Sequence, residues 1–148
     1  MGHTYTSTVY HCVFSTKERT HIIPPDLLPR LWEFIGGIAR RNGMTSIRAG
    51  GTTNHLHIVL IVPPTLTLSK AMQLIKAGSS KWINDHPGAR FEWQQGYSAF
   101  SIGASQVART IAYIEGQEEH HKKVSFEKEY LAFLERHGIQ FDRKYVLG

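Results

Sequence analysis

Four strand-like segments interleaved with two long helical periodicities, then two further helices, predict an α+β protein built on an antiparallel sheet. The order strand, helix, strand, strand, helix, strand matches a ferredoxin-like arrangement with both early helices packed on one face. At 148 residues, 41% hydrophobic and 20% charged, the chain has material for one core, so a single domain spanning 1–148 is expected.

Residues 4–16 read as the first strand, with Tyr5, Val9, Tyr10, Val13 and Phe14 among serines and threonines that tolerate extended backbone. Pro24-Pro25 interrupts, and Asp26 can cap a helix over 26–42 in which Leu27, Leu28, Leu31, Phe34, Ile35 and Ile38 recur at helical spacing. Asn42-Gly43 stops that helix. A short strand follows at 44–49, and Gly50-Gly51 predicts a turn. The most strand-like segment is 55–62, closed by Pro63-Pro64. Residues 68–84 carry helical periodicity through Met72, Ile75, Ser79 and Trp82, and Pro87-Gly88 ends it. A strand is expected over 97–102, a helix capped by Ser105 over 105–121, and a last amphipathic helix over 126–137.

Seventeen Lys and Arg against twelve Asp and Glu leave a formal charge of +5, which favours an anionic partner such as nucleic acid. The single cysteine, Cys12, excludes an intrachain disulfide framework and reads as a small core residue. Residues 1–8 are polar, unlike a signal peptide, and no apolar run reaches the roughly 18–20 residues that span a bilayer. A cytoplasmic protein with no membrane partner is expected.

His55-Leu56-His57 is the first candidate for chemistry. Residues two apart in a strand share a face, so both imidazoles project together while Leu56 enters the core, and paired imidazoles chelate divalent cations. With nine histidines in the chain the motif alone is weak. Tyr113 and Gln117 form a second constellation, four residues apart on one helical face. A phenol is a poor nucleophile near neutrality, because its ordinary pKa is near 10, and a nearby cation would favour the phenolate. Gln117 can offer a neutral oxygen to the same ion. His120-His121 with Lys122-Lys123 suits a helix C-terminus; a histidine ligand from that pair is a lesser expectation than Gln117.

Together these residues resemble the HUH nucleases, and most closely the single-tyrosine (Y1) transposases of the IS200/IS605 insertion sequences. His55-Leu56-His57 matches their histidine–hydrophobic–histidine motif, and Tyr113-Ile114-Glu115-Gly116-Gln117 looks like their tyrosine helix. The likeness extends to Tyr10-His11 with Val13–Lys17, to Leu68-Ser69-Lys70, to 75–80 and to Trp93–Tyr97. It implies a DNA transposase that cleaves and rejoins single-stranded DNA through a 5′-phosphotyrosine. Tyr113 would be the nucleophile, and His55, His57 and Gln117 would hold Mg²⁺ or Mn²⁺. It also implies single-stranded DNA with hairpin ends as partner and a homodimer whose tyrosine helix serves one chain or the other. Asn54 departs from the pattern, standing where an acidic residue is expected.

Lys17, Arg19, Arg48, Lys70, Lys76 and Lys81 are candidates for phosphate contacts, and Trp93 for base stacking. The rival reading is a non-catalytic protein of the same fold, domesticated or REP-associated, that binds hairpin or single-stranded DNA. A metal-free RNA-end phosphodiesterase fits less well, because its second histidine motif is missing.

Overall fold

The computed structural model describes residues 2–147. Strands β1 (Val9–Ser15), β2 (Thr45–Thr52), β3 (His55–Ile61) and β4 (Ser98–Ile102) form one antiparallel sheet in the order β2-β3-β1-β4. The α+β, ferredoxin-like expectation is met. Helices α1 (Leu28–Arg41) and α2 (Leu68–Asn84) cover one face. Helices α3 (Val107–Glu115), α4 (Gln117–His120) and α5 (Phe126–Arg136) lie on the other.

The two-residue period of the strands sorts side chains between these layers. Cys12, Phe14, Leu56, Ile58 and Leu60 point into the core against Leu31, Ile35, Met72 and Ile75. The alternate residues Val9, Val13, Val59 and Phe100 face the C-terminal helices. His11, His55 and His57 lie on this second face and are all buried. Both central strands thus bury both sides, which explains why β3 reads as an almost unbroken apolar run.

Three local departures have physical causes. The first strand begins at Val9 rather than near Thr4, because its neighbours end there: Val9 pairs with Ile61 on one side and Ile102 on the other. Asp26 caps no helix; a 3-10 turn over Pro25–Leu27 leads into α1 instead. Gly50-Gly51 lies inside β2, and the chain turns at Thr53-Asn54. A Cβ on Gly50 would stand 2.7 Å from Ile114 Cγ2 and 3.1 Å from the Ile114 carbonyl oxygen. The bare backbone lets α3 approach the sheet, where Ile114 packs on Val9 and Val59 at 2% exposure. Burying that side chain stabilises by about 1.5–3 kcal/mol. Gly50→Val is therefore expected to lift α3 and cost about 1–3 kcal/mol, an overpacking penalty read as a lower thermal midpoint. An unchanged midpoint would show that the helix is not seated through this contact.

The helix foreseen over 105–121 is broken. Ser105 sits in a 3-10 turn over Ala104–Gln106, where Gln106 Oε1 accepts from the Gly103 N–H. Gly116 separates α3 from α4. Thr67 caps α2 and Ser125 caps α5, each hydroxyl accepting from the backbone N–H three residues on. Among the described residues no helix is long and apolar enough to cross a membrane.

Candidate metal and nucleophile site

The site forms where β3 and β1 meet the three C-terminal helices. β3 presents His55 and His57 on one face as the strand period requires. α3 brings Tyr113, α4 brings Gln117 and His120, and His121 follows at its C-cap. At the centre is Glu129 of α5, 4% exposed. Its Oε1 lies 3.0 Å from His57 Nε2, 3.2 Å from His121 Nε2 and 3.7 Å from His55 Nε2. Its Oε2 accepts from the Tyr113 hydroxyl, lies 3.1 Å from His120 Nε2 and accepts from Gln117 Nε2 at 3.3 Å. One carboxylate oxygen faces His55, His57 and His121, and the other faces the phenol, His120 and Gln117.

His55, His57, His121 and Glu129 each offer one ligand atom, and these atoms lie within 4.8 Å of one another, a set that can hold a metal ion. Two observations fit a cation at this site. His121 Nε2 is buried with no hydrogen-bond partner, because its approach to Glu129 lacks hydrogen-bond geometry. Neutral His55 has one N–H and three oxygen neighbours: Asn54 Oδ1 at 2.9 Å and the Thr52 hydroxyl at 3.0 Å from Nδ1, and Gln117 Oε1 at 2.8 Å from Nε2. Both amides are oriented by their N–H₂ groups, Asn54 donating to the Arg19 carbonyl and Gln117 to Glu129. With the proton on Nε2 both nitrogens are satisfied, the Thr52 hydroxyl donating to Nδ1; with it on Nδ1, Nε2 turns a lone pair toward Gln117 Oε1. A cation relieves that contact if the proton sits on Nδ1, and Asn54 is placed to hold it there. The neutral residue at 54 is thus a partner that orients the His55 ring.

His11 supports the His57 ring, its Nε2 2.8 Å from His57 Nδ1. Burial, reinforced by His57, lowers the pKa of His11 to about 3. His55 is lowered to about 3 by the same two causes. Both rings are therefore neutral in the fold. Burial alone pushes the Glu129 carboxyl up, but the adjacent His121, His57 and Tyr113 outweigh it and hold it well below the usual carboxylate range. Burial and then the Glu129 carboxylate push the Tyr113 hydroxyl above its ordinary range. The phenol is protonated here and held, not yet activated.

These shifts set an acid limit. Between pH 6.5 and about 3 the unfolded chain binds protons on His11 and His55 that the fold refuses. Stability is complete above that window and falls as pH falls through it. At pH 5 the loss is at most about 2 kcal/mol for each ring. The thermal midpoint of metal-free protein should then drop by roughly 5–15 °C between pH 7.5 and pH 5. A flat profile would contradict neutral burial.

Of the residues expected at the site, His55, His57, Tyr113 and Gln117 converge. The expected DNA contacts scatter. Trp93 is a correction: 8% exposed, it packs edge-on against Phe14 and its N–H donates to Ser79 Oγ, so it belongs to the core beneath α2. Lys76 donates to the carbonyls of Gln94 and Gly96 and ties that loop to α2. Lys70 and Lys81 are on the same helix, across the sheet from the histidines, and Lys81 pairs with Asp85. Arg48 pairs with Glu115, and Lys17 with Glu92. Arg19 does come near, lining a cleft with His121 and Phe126. Sequence reasoning missed Glu129 and His11, and ranked the His120-His121 pair below Gln117, whereas His121 stands within the cluster. Glu129 had left a signal: a carboxylate on the stripe Phe126, Tyr130, Phe133, where every neighbour is apolar.

Comparison with known proteins bears on the family and the fold. Residues 4–117 match the family described as transposase, IS200-like. The transposase for insertion sequence element IS200 of Salmonella typhimurium strain LT2 is 24% identical over 129 residues, covering 82% of this chain and 84% of that protein. Its counterpart in Salmonella typhi matches equally. Among solved structures, a candidate transposase from Deinococcus radiodurans R1 superposes with a TM-score of 0.62 at 20% identity, over 79% of this chain and 96% of the other. A REP-associated tyrosine transposase bound to a REP hairpin gives 0.59 at 15% identity, over 84% and 76%. These two share the fold. With the family match spanning most of its length and the paired histidines and tyrosine helix inside it, the chain belongs to the IS200-like transposases.

Proposed function

We propose that this transposase cleaves and rejoins single-stranded DNA through a covalent bond from Tyr113 to a 5′-phosphate, with a divalent metal ion. The observation that carries the reading is Glu129, whose two oxygens join the histidine cluster to the Tyr113 hydroxyl. His55, His57 and Gln117 hold the ion, with His121 and Glu129 as further ligands. A mixed set of imidazole and oxygen donors suits Mn²⁺ better than Mg²⁺, which prefers oxygen alone. When bound, the ion supplies Lewis acidity at a non-bridging phosphate oxygen.

The remaining work falls to the chain. Tyr113 forms its bond to phosphorus as the bond to the 3′ oxygen breaks, and that oxygen leaves as a 3′-OH with a proton from solvent. The phenolic proton departs through Glu129 Oε2 toward His120, 3.1 Å away and partly open to water. Because the phosphoester energy is kept in the new bond, a 3′-OH can reverse the step without a nucleotide cofactor. All these side chains come from one chain, which favours Tyr113 acting in cis; a homodimer is compatible with this and not needed for it. Hairpin-ended single-stranded DNA in the cytoplasm is the substrate proposed, in keeping with the hairpin bound by the REP-associated relative.

The test is incubation with labelled single-stranded DNA from the flanks of its own gene. Label should follow the protein on a denaturing gel with Mn²⁺ or Mg²⁺ and not in EDTA. DNA that shifts on a native gel but is never captured would instead establish the binding-only, REP-associated reading.

A further inference from the structure

Beside Tyr113, α3 and α5 border a cleft of about 300 Å³ whose inner end reaches His11 of β1 and Glu129. That is the lower end of the size of small-ligand sites. Its position follows from two helical stripes. On α3, Arg109 and Tyr113 are one turn apart; on α5, Lys128, Ala132 and Arg136 repeat every four residues. Small Ala132 between two long cations leaves the opening, and Phe133 walls the inside. The Phe133 and Tyr113 rings meet edge to face at 5.8 Å, and the Arg136 guanidinium lies over Phe133.

The cleft therefore has an aromatic wall and a rim of three exposed cations. Among the described residues Arg109, Lys128 and Arg136 form no ion pair with any carboxylate. An apolar opening under unpaired cations matches a nucleotide, whose base seeks apolar and guanidinium contact and whose phosphates need countercharge. Most of this cleft, from His120 to Arg136, lies beyond residues 4–117 that the family shares.

We propose that this cleft binds the nucleotide on the 3′ side of the cleaved bond, the one whose 5′-phosphate becomes attached to Tyr113. The assignment rests on the phosphotyrosine reading. In-line attack places the departing 3′ oxygen opposite the phenol, so the upstream nucleotide lies away from Tyr113. The downstream nucleotide remains tethered next to the ring that the cleft adjoins. Its base packs over Ala132 between the Arg136 guanidinium and the half-buried Tyr113 ring, and Arg109, one turn from Tyr113, meets its 5′-phosphate. The cleft would keep the covalently held end in place until a 3′-OH returns.

The probes are hexathymidylates of equal charge, one phosphorylated at the 5′ end and one at the 3′ end, titrated by calorimetry in EDTA. Wild type should prefer the 5′-phosphorylated strand by about tenfold, the scale of one charge-assisted hydrogen bond. Ala132→Trp fills the cleft from an exposed position, and Arg109→Ala with Arg136→Ala strips its rim; each should reduce the preference to near unity. Equal binding of both strands by wild type, or a preference that survives both variants, overturns the proposal. The gel capture assay is run in parallel. Adduct without end preference removes the cleft and leaves the phosphotyrosine reading, whereas end preference without adduct does the reverse.

Discussion

Tyr113→Phe will abolish the covalent DNA adduct, with capture falling at least about a thousandfold, to background, because the reaction loses its nucleophile. Among the described residues the other polar groups that meet Glu129 are imidazoles and the Gln117 amide, none of them a hydroxyl. The fold should tolerate the change. Glu129 Oε2 loses one donor but keeps His120 at 3.1 Å and Gln117 at 3.3 Å, so the cost should stay near about 1 kcal/mol. The ring also keeps its edge contacts with His57 and Phe133. The paired measurement is adduct formation against thermal midpoint. An adduct that persists in the variant would mean that another residue attacks, and a collapsed midpoint would mean that the hydroxyl is structural.

Glu129→Ala should have the largest effect on the protein itself. Removing it leaves the donors of His57, Tyr113 and Gln117 facing a void. Deleting one member of a buried charged network costs about 3–5 kcal/mol. In a chain of this size that is roughly 10 °C in thermal midpoint, measured in EDTA. Mn²⁺ affinity, read by calorimetry, should fall at least about tenfold. Glu129→Gln separates the two roles. The amide retains shape and some hydrogen bonding and should recover much of the midpoint, while Mn²⁺ binding stays weak for want of the charge. If Glu129→Gln binds Mn²⁺ like wild type, the carboxylate organises the site without ligating.

Much of the molecule was legible in one dimension because its signals are local. The bounds of α2 could be read from apolar spacing and Pro87-Gly88, and β3 from a run of residues that suit extended backbone. His55 and His57 share a face by the period of the strand alone, and Tyr113 and Gln117 lie near each other by the period of the helix, even with the break at Gly116 between them. The Gly50-Gly51 turn was misread because glycine has two uses, chain reversal and close approach. Only Ile114, 64 positions away in the chain, reveals which one applies.

What the sequence by itself determined is the set of elements, the pairing of the two histidines and the family to which the chain belongs, since each depends on neighbours a few residues apart. What only the tertiary structure decided is the company those residues keep. Glu129, 72 residues from His57, has no spacing that announces it, and it reaches the cluster because α5 folds its apolar stripe onto the sheet face the histidines occupy. His11 meets His57 only through the register of β1 on β3. Trp93 and Lys76 had the chemistry of a DNA surface, but the packing of α2 turned both to structural use. Local periodicity sets which way a side chain points; what it meets depends on contacts between distant segments, and those exist only once the core has closed.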